Sequence, residues 1–470
     1  LALWLIRSLA FPGTGGDDGE QLVFAQNIAI GYLPRNPPLY TWLVIAAEHV
    51  FGVSVLAVAA VKFLSVWGSC AALFAAGRIL FRDDRYAALA GLSPLAMYLV
   101  FWDSVTGLTD SALAMLLCAL TFLIFLKLRA SPHPGWYVAL GVSAGLGLLS
   151  KYGYGIFLLS LVAAACFDAT ARRRLLRVES LLALAAMTAL VAPYGLWFAD
   201  HTKETMATDT RVGFFDGMRY LAGATAGALA PLWLLLPLFF PRAFRRIADP
   251  LEDRAALRRM IGIQLVAALV LLAAVVAASG LKARGYYMFV LILLPLYFFA
   301  RVQAGAWRGR ATEGFVLSVA AIAAGATAAL AAKAYFEPLW CTQCERQLPY
   351  DAWSGQIKAA GFEHGTIVAD WWPYPLDGNF KVRFPESRVV TVKHPLAIPP
   401  AAAFPGSCLL LWASPERRND VIGFANARLG AGIGASAEAG VAAAPIRFTG
   451  GKRPVSLYYL LLKNGAGMCR

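Results

Sequence analysis

Charge is scarce in this sequence. Only 15% of the 470 residues are charged and 59% are hydrophobic, whereas an average soluble domain carries about 25% charge. A single soluble core cannot hold so much apolar sequence, because such cores divide into separate domains beyond about 250–300 residues. Many separate apolar runs of about 20 residues instead predict a polytopic α-helical membrane protein.

Acidic residues are the scarcer of the two charge types. Lys and Arg number 42 against 28 Asp and Glu, which gives a formal net charge of +14. A large positive charge is also found in nucleic-acid-binding proteins. Here, however, the basic residues cluster in short loops between apolar runs, as the positive-inside rule expects. The pattern therefore indicates a lipid bilayer and no nucleic acid as the partner.

About eleven apolar runs predict membrane spans. The first run holds about twelve residues and would rise only ~18 Å as a helix, so we expect its beginning to precede Leu1. Two further helices, over residues 18–31 and 37–51, are expected at the membrane surface, because the Pro37-Pro38 pair forbids one continuous helix. The predicted spans are residues 1–12, 53–80, 86–102, 109–127, 135–150, 154–171, 178–199, 219–240, 257–279, 286–302 and 312–332.

Orientation follows from the basic residues in the short loops. Alternate loops, which include residues 171–177 and 241–259, hold 17 Lys and Arg in total, whereas the opposite short loops hold seven. The richer set is predicted to be cytoplasmic. The acidic segment at residues 11–27 and everything after the last span then lie on the outer side.

The character of the sequence changes after residue 332. The runs GTIVAD, SRVVTV, CLLLWA and SLYYLLL are typical of strands, and GQIKAAGF and DVIGFANARL are typical of helices. This alternation predicts a small soluble α/β domain. We therefore expect a transmembrane domain over residues 1–332 and an outer domain over residues 333–470.

Cysteine is also rare, with seven residues. Cys341 and Cys344 form a CTQC motif at the start of the outer domain, where an oxidising compartment favours a local disulfide. A redox-active pair stays open, although no thioredoxin pattern accompanies the motif. One CxxC cannot supply the four ligands of a structural zinc site. Of the others, Cys70, Cys118 and Cys166 are expected to pack within spans, and Cys408 and Cys469 remain unassigned.

Acidic residues recur at the outer ends of spans. Asp17 and Asp18 follow a glycine-rich turn after the first span, and we expect no nearby base to neutralise them. A solvated loop is the alternative interpretation. Asp103 and Asp110 flank the next outer loop, where Asp103 is expected to be solvated. Asp110 could equally be a helix N-terminal charge that follows Thr109 as N-cap.

Basic residues also stand at outer span ends. Lys151 lies where two spans meet, and Lys282 and Arg284 end the ninth span. Each alone could snorkel to lipid headgroups, but together they suit phosphate binding. Lys203 lies in the long outer loop at residues 201–220, which is either a mobile lid over the site or a solvated connector.

Carboxylates and phosphate-binding cations on one membrane face fit one chemistry. A carboxylate can take the proton of an acceptor hydroxyl that attacks the anomeric carbon of a lipid-phosphate sugar. The phosphate leaving group needs charge stabilisation more than a proton. A lone base opposite the leaving group predicts inversion, by analogy with one-step glycosidases.

Four segments carry a resemblance to a known family. They are GDDGEQLVFAQNIAIGYLPRNPPLYTW, GLTDSALAML, GLGLLSKYGYG and LKARGYYMFVLILLPLY. In order and spacing the chain resembles the GT-C membrane glycosyltransferases, in the branch of protein O-mannosyltransferases and bacterial lipid A aminoarabinose transferases. The first segment and FEPLWCTQCERQLPYDAW are most similar to alphaproteobacterial lipid A and core galacturonic acid transferases.

The resemblance implies roles for individual residues. Asp17 would be the catalytic base, with Asp18 in support and Asp110 as the second acid of the family. Asn36 replaces a family lysine, which leaves open whether the adjacent Arg35 contacts phosphate. The further residues assigned to substrate or phosphate binding are Tyr40, Lys151, Lys203, Lys282 and Arg284.

The resemblance also implies substrates and a location. The donor would be a polyprenyl-phosphate sugar, galacturonic acid being one candidate, and the acceptor a lipid A, core or other envelope glycan. The chain would be a multi-pass protein of a bacterial inner membrane with its C-terminal domain in the periplasm. Some members bind a divalent metal near the donor phosphate; two acids alone do not indicate one here, so a divalent metal stays open and no cofactor is expected to be required.

Two other classes of function compete with a transferase. A transporter or flippase of a charged lipid or sugar would place charges near the bilayer midplane and show internal repeats. This chain has its notable charges at span ends and no evident repeat. A sensor or assembly protein that binds through its outer domain also stays open.

Overall fold

The computed structural model describes residues 2–81, 83–202, 211–245, 252–304, 309–342, 344–371, 373–392, 396, 398–434, 436–463 and 469. Within them the helices are α1 (Ala2–Leu9), α2 (Gly16–Phe24), α3 (Leu39–Phe51), α4 (Val55–Leu80), α5 (Asp84–Leu92), α6 (Ser104–Thr106), α7 (Asp110–Ala130), α8 (Pro134–Ser150), α9 (Tyr154–Cys166), α10 (Ala169–Leu175), α11 (Ser180–His201), α12 (Phe214–Leu229), α13 (Leu232–Phe239), α14 (Glu252–Ser279), α15 (Leu294–Ala304), α16 (Gly309–Phe336), α17 (Tyr350–Ala359), α18 (Leu376–Arg383) and α19 (Arg418–Leu429). The strands are β1 (Gly365–Ala369), β2 (Arg388–Thr391), β3 (Ser407–Trp412), β4 (Gly440–Pro445) and β5 (Pro454–Leu462).

Long apolar helices dominate the first 340 residues. Among the described residues, 5 helices are long and apolar enough to cross a membrane, or up to 7 if each of two bent pairs is one span. The five are α4, α7, α11, α14 and the segment Gly309–Leu339, and each coincides with a predicted span. The chain is thus a polytopic helical membrane protein, while the count of eleven spans stays a prediction.

Several predicted spans are not single straight helices. The run at 86–102 is divided into α5, a 3₁₀ turn at Ser93–Ala96 and a π-helical turn at Leu99–Asp103. The run at 219–240 breaks between α12 and α13 at Pro231, which lacks the N–H that would continue the helix. Helices α9 and α10 meet at 116°. Apolar runs indicate that a segment is buried or in lipid, but they do not reveal such breaks.

The first of the two expected surface helices is shorter than predicted. Helix α2 ends at Phe24, so residues 25–31 are not helical as expected. The Tyr32 hydroxyl accepts the Ala29 N–H at 3.1 Å and donates to the Asn27 carbonyl at 2.9 Å. These bonds hold the chain in a turn that competes with a helix. The second expected helix corresponds to α3.

The chain forms two compact units. The first comprises residues 1–33, 40–61 and 327–470, and the second comprises residues 34–39 and 62–326. The first unit thus combines the N-terminal helices with the whole C-terminal region. The division at residue 332 into a membrane domain and an outer domain stays a prediction.

A five-stranded mixed sheet forms the centre of the first unit. Its strand order is β2-β1-β3-β5-β4, with β2, β1 and β3 parallel and β5 antiparallel to both of its neighbours. One face, with Ile367 and Leu409, packs against Trp353 of α17 and Phe380 of α18. The other face, with Val368, packs against α19. The four runs predicted as strands are β1, β2, β3 and β5.

The N-terminal segment packs against the same sheet. The Gln26 side chain exchanges two hydrogen bonds with the backbone of Val389 in the edge strand β2, at 2.9 and 2.6 Å. Helix α2 lies against α18, where a Cβ added to Gly378 would come within 2.3 Å of the Gly19 Cα. Both helices are therefore held at a backbone-to-backbone distance that only glycine permits.

The second unit is a bundle of helices. Helix α8 contacts both α7 and α11, and α14 contacts α9. A Cβ added to Gly141 of α8 would meet the backbone of Ala183 in α11, so these two helices also approach closely. Small residues at such crossings are typical of helix packing within membranes.

Candidate functional site

The two leading acids occupy the first turn of α2 in the first unit. Gly15 precedes this helix in extended conformation, and Asp17 and Asp18 complement its positive end. Asp17 is exposed, whereas the Asp18 side chain is only 6% exposed and pairs with Arg7 at 3.1 Å. The expectation that no nearby base neutralises the pair is therefore wrong for Asp18. Sequence reasoning missed Arg7 because it lies within the first apolar run.

Glycine lets the chain around α2 fold tightly. A Cβ added to Gly13 would lie 2.5 Å from the Tyr350 ring, and one added to Gly15 would lie 2.6 Å from the Arg346 guanidinium. The Gly13 N–H donates to the Arg346 carbonyl at 2.9 Å. Arg346 thereby lies beside the start of the helix that carries Asp17. The sequence gave no signal for this arginine, because 329 positions separate it from Asp17.

Tyr40 belongs to the same unit and lies in its interior. Its side chain is fully buried, and the hydroxyl donates to the Val58 carbonyl at 3.3 Å. The adjacent Thr41 hydroxyl donates to Gln21 of α2 at 2.7 Å. These bonds join α3 to α2 and α4, and the predicted substrate contact of Tyr40 stays a prediction.

Aromatic side chains position the cations of the second unit. Lys151 follows the last residue of α8, and its Nζ lies 4.8 Å from the centre of the Tyr286 ring. The neighbouring Tyr152 hydroxyl lies 2.5 Å from the Pro34 carbonyl, to which it donates. The bond joins the segment that carries Lys151 to the segment that carries Arg35, whose side chain is exposed.

Lys282 and Arg284 lie on the segment that leads to Tyr286. The Nζ of Lys282 is 4.2 Å from the centre of the Tyr220 ring, and Arg284 is exposed before a 3₁₀ turn at Gly285–Leu291. A Cβ added to Gly285 would be 3.5 Å from an Asp103 carboxylate oxygen. The structure thus brings the segments of Arg35, Lys151 and Arg284 into one continuous region.

Acids also occur in this region. Asp103 is partly buried rather than solvated as expected, and burial raises the pKa of its carboxyl to about 6. Asp110 is buried at the first position of α7 and accepts a hydrogen bond from the Thr109 hydroxyl at 3.1 Å. Thr109 makes no side-chain bond to the helix backbone. Thr109 therefore does not cap the helix as expected, whereas Asp110 does place a negative charge at its start.

An apolar cavity of about 630 Å³ lies in the second unit. Its walls come from α12, α13 and α14, and Thr225 is the one lining residue that carries a hydroxyl. Tyr220, whose ring contacts Lys282, belongs to the same helix α12 but is not one of the lining residues.

Two disulfides occur in the C-terminal region. Cys341 is bonded to Cys344, as expected for the CTQC motif, with the Cα atoms 5.4 Å apart. The second joins Cys408 of β3 to Cys469. Sequence reasoning left these two unassigned, because 61 positions separate them and only the fold brings them together.

The last two points concern Lys203 and the groups that could hold a metal ion. Lys203 and the rest of residues 203–210 of the predicted lid lie outside the described residues, whereas residues 214–220 of it belong to α12. Over the part of the chain that is described, no three His, Cys, Asp or Glu side chains group so as to hold a metal ion.

Comparisons with known proteins agree with this fold. Residues 35–197 match the family model described as dolichyl-phosphate-mannose-protein mannosyltransferase. Lipopolysaccharide core galacturonosyltransferase RgtA of Rhizobium johnstonii is 26% identical over 412 residues, which cover 84% of this chain and 81% of RgtA. RgtB of the same organism is 27% identical over 326 residues, covering 67% of this chain and 66% of RgtB.

A solved structure extends the comparison to nearly the whole chain. The crystal structure of ArnT from Cupriavidus metallidurans bound to undecaprenyl phosphate superposes with a TM-score of 0.63 and 15% identity. It covers 97% of this chain and 96% of ArnT. The chain is a polytopic helical membrane protein that resembles the lipopolysaccharide core galacturonosyltransferases in sequence and ArnT in fold.

Proposed function

We propose that the protein transfers a sugar, with inversion, from a polyprenyl-phosphate donor to a lipid A or core glycan on the periplasmic face. The observation that carries the proposal is the difference between the two adjacent acids of α2. Asp17 is exposed and suited to proton transfer, whereas Asp18 is buried against Arg7. The similarity to RgtA and RgtB supports the glycan acceptor and makes galacturonic acid the first sugar to test.

In the proposed reaction Asp17 acts as the general base. The acceptor hydroxyl loses its proton to the Asp17 carboxylate while its oxygen forms a bond to the anomeric carbon. The bond from that carbon to the phosphate oxygen breaks, and its electron pair leaves with the polyprenyl phosphate. Attack opposite the leaving group inverts the anomeric centre.

The cations of the second unit suit the lipid phosphate. Lys151 and Lys282 are held over tyrosine rings, and Arg284 and Arg35 are exposed. We assign these four side chains to charge stabilisation of the departing phosphate. The apolar cavity between α12, α13 and α14 suits the isoprenoid chain, because an almost purely apolar wall matches a hydrocarbon.

The proposal also specifies how the chain crosses the membrane. Eleven spans, with α2 and α3 at the outer surface and the sheet in the periplasm, are consistent with the distribution of basic loops. Asp17 and the C-terminal domain then lie on the side where lipid-linked sugars, rather than nucleotide sugars, are available.

Substitution of Asp17 provides the test. Purified protein is incubated with radiolabelled polyprenyl-phosphate galacturonic acid and lipopolysaccharide extracted from a strain that lacks this sugar. We expect Asp17→Asn to slow label transfer about 10²–10⁴-fold, the usual contribution of a general base. The matched control is Asp216→Asn, which also changes an exposed acid in the first turn of a helix.

Three results would count against the proposal. Equal transfer by Asp17→Asn and wild type would remove Asp17 as the base. Transfer from a neutral sugar donor alone would exclude galacturonic acid while leaving the reaction class intact. Movement of labelled donor across vesicles without covalent transfer would indicate a flippase.

A further inference from the structure

The loop between β4 and β5, residues 446–453, presents an aromatic ring to its surroundings. The loop is closed by a hydrogen bond from the Ile446 N–H to the Arg453 carbonyl at 2.9 Å. Within it Phe448 has a φ of 65°, and its side chain is 42% exposed. Bulky residues rarely adopt this left-handed conformation. A strained backbone that holds an apolar ring outward indicates a surface that receives the ring.

Two contacts hold the loop against the chain that leaves α16. The centre of the Phe448 ring lies 4.7 Å from that of Tyr335, which is in the last turns of the helix. The Arg453 guanidinium donates from Nη1 to the Pro338 carbonyl and from Nη2 to the Cys341 carbonyl, the latter at 2.7 Å. All of these residues belong to the first unit. The loop is therefore fixed beside the end of α16.

The end of α16 marks the level of a membrane surface. The apolar segment that contains this helix is long enough to cross a bilayer and ends at Leu339. Tyr335 lies four residues earlier, about 6 Å of helix rise. Trp340 follows the segment directly and is 67% exposed. Tyr and Trp at span ends lie at the level of the lipid headgroups. Phe448 packs on Tyr335 and reaches the same level.

The charge around the ring is positive. The loop carries Arg447, Lys452 and Arg453 and no acid, and strands β4 and β5 carry no charge. In residues 333–359, which include α17 beside β4, three basic and three acidic residues cancel. Arg447 and Lys452 are exposed, and the Arg447 guanidinium lies 4.9 Å from the centre of the Phe448 ring. Basic residues next to a membrane attract anionic lipids.

We propose that the β4–β5 loop docks on the bilayer surface at which α16 ends. Phe448 lies among the headgroups, and Arg447 and Lys452 contact the phosphates of anionic phospholipids. The partner is membrane lipid rather than free phosphate, because the exposed ring lies level with the end of an apolar span. Docking requires neither a sugar donor nor an acceptor, so it does not depend on the proposed function.

Photo-crosslinking tests which molecule the ring contacts. Phe448→benzoylphenylalanine keeps an aromatic ring at this position, and the full chain is placed in nanodiscs of equimolar phosphatidylglycerol and phosphatidylcholine. Mass spectrometry then identifies the captured molecules. We expect phospholipid, with phosphatidylglycerol in excess. The matched control is Val441→benzoylphenylalanine, at an exposed position of β4 about 16 Å along the strand from the loop, which should capture far less lipid.

Neutralising one cation tests the preference for anionic lipid. In the protein with the probe at Phe448, Lys452→Gln should lower the ratio of captured phosphatidylglycerol to phosphatidylcholine about fivefold, which corresponds to about 1 kcal/mol. Lys463→Gln, at the opposite end of β5, is the matched control and should leave the ratio unchanged. A readout without the probe is hydrogen exchange of residues 446–453 in wild type, which should be slower with phosphatidylglycerol than with phosphatidylcholine alone.

Four results would overturn the proposal. They are capture of no lipid at Phe448, equal capture at Val441, capture of a second copy of the chain in place of lipid, and an unchanged lipid ratio in Lys452→Gln. Equal hydrogen exchange of the wild-type loop in the two lipid compositions would also contradict it, whether or not the probe-bearing protein folds. Loss of sugar transfer bears on the proposed function alone.

Discussion

At the scale of single residues, adjacent aspartates in α2 have different environments. Both complement the helix N-terminus, so a charge argument alone cannot separate them. Burial does separate them, since Asp18 faces Arg7 in the interior and Asp17 is exposed. The Arg7 guanidinium also donates to the Gly13 carbonyl at 3.2 Å, which fixes the turn before the helix. The pair therefore holds α2 in place, while Asp17, the proposed base, is exposed.

This difference predicts separable effects on stability and activity. Asp18→Asn should lower the melting temperature of the detergent-solubilised protein, because breaking one partner of a buried pair costs about 3–5 kcal/mol. Asp17→Asn should lower the melting temperature less than Asp18→Asn does while losing transfer, because Asp17 is exposed. The double variant Arg7→Met with Asp18→Asn should recover part of the stability, since it removes both charges of the pair and leaves neither one buried alone. Equal melting of both single variants would contradict the assignment.

At the scale of elements, the position of α2 depends on α18. The two helices touch where Gly19 faces Gly378, and Thr14 donates its N–H to Asn379 at 2.8 Å. Because α2 carries Asp17, a small shift of this contact would move the proposed base. Helix packing of this kind links the stability of the C-terminal sheet to the geometry of the site.

Gly378→Ala tests this contact. The added Cβ would stand 2.3 Å from Gly19 backbone atoms, and overpacking of this kind typically costs about 1–3 kcal/mol. We expect a lower melting temperature and slower transfer. Gly355→Ala in α17 is the matched control, because a Cβ there meets nothing within 4 Å and Ala favours a helix by about 1 kcal/mol. A Gly378→Ala protein that melts as wild type would show that the helices can separate freely.

Elements also show what the sequence can and cannot predict. Strands β1, β2, β3 and β5 were predictable because buried apolar runs dominate them. Strand β4, with the sequence GVAAAP, has little strand propensity, and α18, with LDGNFKVR, has no apolar stripe. Tertiary contacts form both elements. The sequence singles out the acids and cations assigned to the site because charge is rare at span ends, and their roles stay predictions. Arg7 and Arg346 required the fold to reveal them.

At the scale of the whole molecule, the cysteines and the basic loops both support the proposed orientation. Both disulfides lie in the C-terminal region, and the cysteines that stay reduced, Cys70, Cys118 and Cys166, lie in helices of the second unit. Disulfides persist in the periplasm and are rare in the cytosol. The basic loops independently predict that the opposite ends of the spans are cytoplasmic.

Reporter fusions test this orientation. Alkaline phosphatase folds only where disulfides form, so a fusion after Arg470 should be active, and green fluorescent protein at the same point should stay dark. Fusions after Ala130, at the end of α7 in a predicted cytoplasmic loop, should give the opposite pair of signals. Alkylation of membranes before reduction should leave four cysteines protected, consistent with the two disulfides. An inactive phosphatase after Arg470 would place the sheet in the cytoplasm, where neither disulfide is expected to persist and where Asp17 would not meet a periplasmic donor.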